Sequence, residues 1–231
     1  MKIYIVRHGQ STHNANQDVP PNPDPPLTAL GRLQAEQTAA AILATQIGAV
    51  ALYASPQRRA LETAAPLHQA LQLPPHVVPD ICEVGGLREI SGLRREEILN
   101  EWPGVTLDER ITESGWWSGG LSDEEEAVFY QRAGQAITLL RARHSENADT
   151  ILVVTHGRFG SALVSTMLGL GPVGYSRYPF DNCAITRVDF DPHDRVSYAP
   201  PPMLPGQEAL REAIRLRFHN RNTHIPPEQR T

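Results

Sequence analysis

Two short apolar segments, far apart in the chain, each run directly into a histidine–glycine pair. The segments and their motifs are residues 2–6 with Arg7-His8-Gly9, and residues 150–154 with Thr155-His156-Gly157. Apolar runs of this length are typical of buried parallel strands. In an open α/β sheet the ligand crevice lies beyond the carboxyl ends of the strands. We therefore expect the two histidines to meet at one edge of such a sheet.

Strand-like and helical patterns alternate along the rest of the chain. Further strands are predicted over 50–54, 76–79, 184–190 and 195–198. Helices are predicted over 28–47, from Ser55-Pro56 onward, over 94–102, over 122–143 and over 159–168. This alternation predicts the α/β class with a mostly parallel sheet.

The C-terminal part of the chain differs from the rest. Pro200, Pro201 and Pro202 form a predicted hinge, and residues 207–219 form an amphipathic segment. Because the first 199 residues show no internal repeat and no composition break, we expect one domain over 1–199. Residues 200–231 are expected to form a separate tail.

Composition excludes several classes of function. A net charge of −5 argues against a nucleic-acid binder. The chain has no apolar run of membrane-spanning length and no apolar leader, so we expect a cytoplasmic protein without a membrane partner. The spacing of Cys82 and Cys183 suggests neither a disulfide framework nor a metal site. The oligomeric state is left open by the sequence.

The residues at the predicted strand ends suit phosphoryl transfer, which requires positioning and positive charge around the phosphate oxygens. A neutral imidazole such as that of His8 is a competent nucleophile near neutral pH. Arg7 beside it can contact two phosphate oxygens, and Asn14 in the following loop can donate to the same anion. Arg58 and Arg59 follow the second predicted strand in the same way.

In order and spacing, the chain's motifs resemble the histidine phosphatase superfamily, in the branch related to phosphoglycerate mutase. The resemblance covers about residues 2–190. It is carried by Arg7-His8-Gly9 with Asn14, Leu27-Thr28-Ala29-Leu30-Gly31, residues 55–60 with Thr63-Ala64, Cys82-Glu83-Val84, residues 154–157 and Asn182-Cys183-Ala184-Ile185-Thr186.

The resemblance implies a three-layer α/β/α sandwich around a six-stranded sheet with one antiparallel strand. It implies that His8 becomes phosphohistidine, and that a phosphate pocket is formed by Arg7, Asn14, Arg59 and His156. Arg59 is preferred to Arg58 because the arginine of the family directly precedes a small residue, here Ala60.

The resemblance also implies a general acid after the third strand. Glu83 is preferred for this role, with Glu89 as the alternative. No metal or organic cofactor is implied, and the sequence lacks the usual metal-binding histidine spacings.

The expected function is hydrolysis of a small phosphomonoester, with a small phosphorylated metabolite as partner. The alternatives are a cofactor-dependent phosphoglycerate mutase and a non-catalytic phosphate-binding or signalling module. Trp116 and Trp117 have two interpretations, a hydrophobic plug at the sheet edge or a wall of the substrate pocket. The substrate itself is not predicted.

Overall fold

The computed structural model of the protein describes residues 1–15, 22–83, 91–117, 124–144, 148–172, 174, 177–191 and 213–231. The strands are β1 Lys2–Arg7, β2 Ala49–Ala54, β3 Pro75–Val77, β4 Thr106–Leu107, β5 Thr150–Thr155, β6 Ile185–Asp191 and β7 Ala213–Arg221. The helices are α1 Ala29–Ala44, α2 Arg58–Leu71, α3 Arg95–Glu101, α4 Glu126–Arg143 and α5 Gly157–Met167. Two short 3₁₀ turns cover Pro79–Ile81 and Pro227–Gln229.

The strands form one mixed sheet in the order β4-β3-β2-β5-β1-β6-β7. β1 pairs in parallel with β5, which pairs in parallel with β2, whereas β6 is antiparallel to both of its neighbours. The prediction of a mostly parallel α/β sheet is confirmed. The sheet has seven strands among the described residues rather than six, because the amphipathic tail contributes β7. The predicted strand at 195–198 lies outside the described residues.

Two apolar layers cover the two faces of the sheet. Ile3 and Ile5 of β1 pack in one cluster with side chains of α4 and α5. The alternate residues Tyr4 and Val6 pack in a second cluster with side chains of α1 and α2. Because successive side chains of a strand point to opposite faces, β1 is buried from both sides. The three-layer sandwich predicted from the sequence is confirmed.

The helices that follow β1 and β2 begin close to the carboxyl edge of the sheet. Thr28 caps α1, and its side-chain oxygen accepts a hydrogen bond from Gly31 N at 3.0 Å, as its position predicted. The prediction that the next helix starts at Ser55-Pro56 is wrong, since α2 begins at Arg58 with Gln57 as its N-cap. Ser55 is instead buried beside a histidine ring, as described below.

The last described segment packs against the body of the sandwich. Ile225 is fully buried in a small cluster with Leu27, Ala35 and Cys183. The backbone N–H of Asn182 donates to the Thr231 carbonyl oxygen at 2.8 Å. Strand β7 and the residues after it therefore add to the same folded body as the core.

Candidate active site

The pairing of β1 with β5 brings the two histidines of the sequence motifs together. Arg7 lies opposite Thr155 in the parallel register, so the residues that follow are neighbours. The backbone N–H of His8 donates to the Thr155 carbonyl oxygen at 2.9 Å. The rings of His8 and His156 have centroids 5.1 Å apart. The structure thus places these side chains side by side at the carboxyl edge of the sheet.

Hydrogen bonds to both ring nitrogens define the tautomer of His8. Nδ1 lies 2.7 Å from the Gly9 carbonyl oxygen, and a carbonyl oxygen can only accept. Nδ1 therefore carries the proton. Nε2 accepts a hydrogen bond from Arg59 Nε at 3.1 Å, which requires its lone pair. Nε2 is the nitrogen able to attack an electrophile.

Both histidines are held in the neutral state. Burial lowers the pKa of His8 well below its usual value, and the positive charges of Arg59 and Arg7 lower it further. The pKa of His156 is lowered in the same direction, again mainly by burial, with Arg59 as the next cause. A nucleophile must be unprotonated to react, so this environment favours the reactive form of His8.

The orientation of His156 is fixed by Ser55 at the end of β2. His156 Nε2 lies 2.8 Å from Ser55 Oγ, and the same oxygen accepts a hydrogen bond from Gln57 N at 3.3 Å. Buried hydroxyl groups normally keep a hydrogen-bond acceptor, and among the described residues Nε2 is the acceptor beside Ser55 Oγ, so the Ser55 proton is assigned to this bond. The proton of the neutral ring is then on Nδ1, which becomes a donor.

Two arginines flank His8, of which Arg59 is buried and Arg7 is partly buried. Arg59 lies in the first turn of α2 and is 8% exposed, and Arg7 is bonded through Nη1 to the Phe180 carbonyl oxygen. Burial lowers the pKa of both guanidinium groups, but arginine remains protonated in proteins. Both arginines therefore place positive charge beside His8.

The side chain of Arg58, the alternative to Arg59, contacts α3 and the residue after it instead of His8. Its guanidinium forms an ion pair with Glu101 and lies 5.3 Å from the ring centroid of Trp102. Adjacent helical residues point about 100° apart, so only one of the two arginines can face His8. Here that residue is Arg59.

Three polar atoms around His8 lack the partners that buried groups normally have. Among the described residues, Arg7 Nε, Arg59 Nη1 and His156 Nδ1 are buried without a hydrogen-bond partner. Such unsatisfied buried groups are rare in folded proteins and need an explanation. An oxyanion with several acceptor oxygens would satisfy all three donors at once.

Glu83 caps the N-terminus of α5 next to the pocket. Its carboxylate accepts hydrogen bonds from Phe159 N at 3.0 Å and from Arg158 N at 3.2 Å. Burial lowers the pKa values of Arg7 and Arg59, whereas the negative charge of Glu83 raises them. Glu83 is therefore close enough to influence both arginines beside His8. The alternative acid, Glu89, lies outside the described residues.

Asn14 is oriented by three donors. Its Oδ1 accepts from Ser11 Oγ at 3.1 Å, from Ser11 N at 3.3 Å and from Asn182 Nδ2 at 3.2 Å. Asn182 Nδ2 also donates to the His8 carbonyl oxygen at 3.0 Å, which links Asn14 to the chain just after β1. Because Oδ1 is occupied, Nδ2 is the group of Asn14 suited to a phosphate oxygen.

Asp24 is a functional candidate that the sequence reasoning missed. Its carboxylate is 3.7 Å from Arg59 Nη1 and accepts from Arg58 N at 3.0 Å, at the start of α2. Burial raises the pKa of Asp24 to about 6. Nothing in the Pro-rich loop around it distinguishes this carboxyl from a surface one, so its role becomes visible only in three dimensions.

Trp116 is buried in the cluster that covers the α1 and α2 face, and Trp117 packs against the same cluster. Their rings meet edge to face with centroids 5.9 Å apart. This placement agrees with the hydrophobic plug predicted as one of the two interpretations.

No group of three or more metal-ligating side chains is found within the described ranges. In the same part of the chain, no helix is long and apolar enough to cross a membrane.

The carboxyl edge of the sheet thus brings together two neutral histidines, a buried arginine, a partly buried arginine and a carboxylate. The family model "Histidine phosphatase superfamily (branch 1)" matches residues 3–198. The chain belongs to this superfamily. The match ends next to the boundary predicted at residue 199, and the division into a domain and a tail stays a prediction.

Related sequences carry a mutase name. The chain is 31% identical over 194 residues to the "Probable phosphoglycerate mutase GpmB" of Enterobacter sp. (strain 638). The protein with the same name from Proteus mirabilis (strain HI4320) is 32% identical over 194 residues. Each alignment covers 82% of this chain and 85% of the relative.

Solved structures with the same fold carry phosphatase names. A mycobacterial glucosyl-3-phosphoglycerate phosphatase in complex with VO3 matches with a TM-score of 0.63 at 20% identity, covering 95% of this chain and 99% of that one. A phosphoserine phosphatase from Entamoeba histolytica in complex with phosphoserine matches with a TM-score of 0.62 at 20% identity, covering 97% and 99%. At these identities the likeness shows the fold alone.

Proposed function

We propose that this protein is a metal-independent phosphatase that hydrolyses a small phosphomonoester through a phosphohistidine on His8. The observation that carries the proposal is the state of the His8 ring. Nδ1 donates to the Gly9 carbonyl oxygen, so the ring's lone pair is on Nε2, where it accepts from Arg59 Nε beside three unsatisfied buried donors.

In the first step His8 Nε2 attacks phosphorus in line with the leaving oxygen. The N–P bond forms as the P–O bond breaks, and the Glu83 carboxyl gives its proton to the departing alcohol. In the second step water attacks phosphorus, Glu83 takes a proton from that water, and the N–P bond breaks. His8 returns to its neutral form and inorganic phosphate leaves.

The side chains that carry the unsatisfied donors stabilise the negative charge of the phosphoryl group during its transfer. Arg7 and Arg59 supply positive charge, and the neutral His156 donates through Nδ1. Because these groups are already buried and oriented, they need little reorganisation when charge develops. Asn14 Nδ2 adds a donor from the loop after β1.

A phosphoglycerate mutase is the second candidate, favoured by the names of the sequence relatives. A mutase must protect the phosphoenzyme from water and return the phosphoryl group to a second hydroxyl. The same five side chains, His8, Arg7, Arg59, His156 and Glu83, serve both reactions. What differs is the rate at which water reaches the phosphohistidine.

The test compares the rate of phosphate release with the rate of isomerisation in one enzyme preparation. We expect 3-phosphoglycerate with 2,3-bisphosphoglycerate to give phosphate release faster than isomerisation, because hydrolysis of the phosphohistidine ends the cycle. Phosphoserine, glucosyl-3-phosphoglycerate and p-nitrophenyl phosphate extend the screen, with His8→Ala as the inactive control. Isomerisation faster than release would establish the mutase instead. Equal rates for wild type and His8→Ala on every substrate would favour the non-catalytic module.

A further inference from the structure

The three carbonyl oxygens that precede Glu83 are each held by a side chain. Arg132 Nη1 donates to the Asp80 oxygen at 2.9 Å and to the Cys82 oxygen at 2.8 Å. Thr155 Oγ1 donates to the intervening Ile81 oxygen at 2.7 Å. Side-chain bonds to three successive carbonyls leave the backbone of this turn little freedom. The direction in which the chain enters residue 83 is thereby fixed.

Arg132 is itself clamped by a buried carboxylate. Its Nε donates to Glu124 Oε1 at 2.9 Å and its Nη2 donates to Glu124 Oε2 at 2.7 Å. The side chain of Glu124 is only 1% exposed. A bidentate pair of this kind holds the plane of the guanidinium as well as its position. Arg132 is therefore a rigid support.

The same guanidinium also contacts the residue that receives the Glu83 carboxylate. Arg132 Cζ lies 4.6 Å from the ring centroid of Phe159. The backbone N–H of Phe159 donates to Glu83 Oε1 at 3.0 Å. Arg132 thus contacts the backbone before Glu83 on one side and the helix end that binds its carboxylate on the other.

We propose that Arg132, locked by Glu124, is a positioning residue that aligns Glu83 for proton transfer to the leaving group. This inference rests on the role of Glu83 in the proposed function. Arg132 acts through Glu83 and does not touch the phosphate. Its loss should therefore affect the reaction only to the extent that the leaving group needs a proton.

The dependence of kcat/KM on the leaving group distinguishes a role of Arg132 in positioning the acid from a purely structural role. p-Nitrophenolate is a weak base and leaves without being protonated, whereas the more basic phenolate needs a proton from a general acid. The ratio of kcat/KM for p-nitrophenyl phosphate to kcat/KM for phenyl phosphate reports proton donation in the first chemical step. General acid catalysis typically contributes about 100-fold or more. We expect Arg132→Lys to raise this ratio about 10-fold or more, because lysine cannot bond both carbonyls and both Glu124 oxygens.

Thr155→Val is the second variant, since it removes one hydroxyl with little change in volume and no change in charge. It should raise the ratio about threefold by releasing the Ile81 oxygen. Arg110→Met is the matched control. Arg110 pairs with the Asp80 carboxylate on the same turn but bonds none of the three carbonyls, so the ratio should not change.

Glu83→Gln separates failure of the inference from failure of the proposed function. One outcome is that Glu83→Gln raises the ratio, while Arg132→Lys and Thr155→Val each lower kcat/KM by the same factor for p-nitrophenyl phosphate and for phenyl phosphate. In that case Arg132 does not position the acid. If Glu83→Gln leaves the ratio unchanged, Glu83 is not the proton donor and the proposed mechanism fails at that step. Should Arg132→Lys not fold, as judged by circular dichroism, the ratio in Thr155→Val alone decides.

Discussion

Arg59 Nε donates a hydrogen bond to His8 Nε2 across 3.1 Å. The donor thus occupies the lone pair that attacks phosphorus in the proposed mechanism, in a pocket that also holds the unsatisfied Nη1 of the same arginine. A phosphate oxygen competes well for such a donor, because charge-assisted bonds to an anion are stronger than bonds to a neutral ring.

The first prediction concerns the two adjacent arginines. Arg59→Lys should lower kcat/KM by about 100-fold or more, because lysine cannot reproduce the planar donor set of arginine. Arg58→Lys should change it by less than about threefold, since an exposed ion pair such as that of Arg58 with Glu101 contributes little. Initial rates with p-nitrophenyl phosphate measure both. Comparable losses in the two variants would mean that Arg59 has no special role.

A second prediction follows from the hydroxyl that orients His156. Ser55→Ala removes the partner of Nε2 at 2.8 Å and frees the ring to adopt the other tautomer. We expect kcat to fall about 10-fold or more, in line with the loss of other groups that orient a catalytic ring. Steady-state kinetics with a thermal melt as control test this. An unchanged kcat would show that His156 does not donate through Nδ1.

Protonation of the two histidines gives a third prediction. Because burial lowers both pKa values well below 6.5, His8 and His156 should remain neutral at pH 6.5. The sign for stability follows, since a lowered folded pKa contributes stability that is lost as the pH falls below the usual value. Nitrogen-15 NMR of labelled imidazoles reads the protonation directly. A His8 ring that is half protonated at pH 6.5 contradicts the environment described.

The fourth prediction concerns the buried carboxyl beside Arg59. The pKa of Asp24 is raised from 3.8 to about 6, so its contribution to stability is complete below the lower value and is lost as the pH rises through the higher one. A shift of this size corresponds to about 3 kcal/mol. The free energy of unfolding of wild type, relative to Asp24→Asn, should therefore fall between about pH 4 and pH 6.5.

Urea unfolding of both proteins at several pH values measures that difference. Taking the difference cancels other titrating groups and the constant cost of the lost bond to Arg58 N. A difference that is flat or that rises with pH would show that Asp24 is not buried as an uncharged group.

Much of the site follows from sequence because it is set by strand pairing. Parallel strands share a carboxyl edge, so two motifs after strands, such as those of His8 and His156, meet once the strands are neighbours. A Cβ at Gly9 would lie 2.4 Å from the Gly31 carbonyl oxygen, so glycine permits a close backbone approach at this position. The approaching group in the structure is the first turn of α1.

Other features depend on contacts that no local pattern encodes. Asp24 and Arg132 act through partners 35 and 50 residues away in sequence, so only the folded chain reveals them. Strand β7 is a different case. Ile214, Leu216 and Phe218 are half-buried and alternate with exposed arginines. That period of two is typical of a strand, and most of the amphipathic segment predicted over 207–219 is strand β7.

The central claim is tested most directly by locating the phosphoryl group on the enzyme. Wild-type protein mixed with excess p-nitrophenyl phosphate is quenched in base, where phosphohistidine survives, and its peptides are analysed by mass spectrometry and phosphorus NMR. The tautomer of His8 predicts phosphorus bonded to Nε2 of His8, with no label in His8→Ala. Phosphate on Nδ1, on another residue, or on His8→Ala would contradict the account.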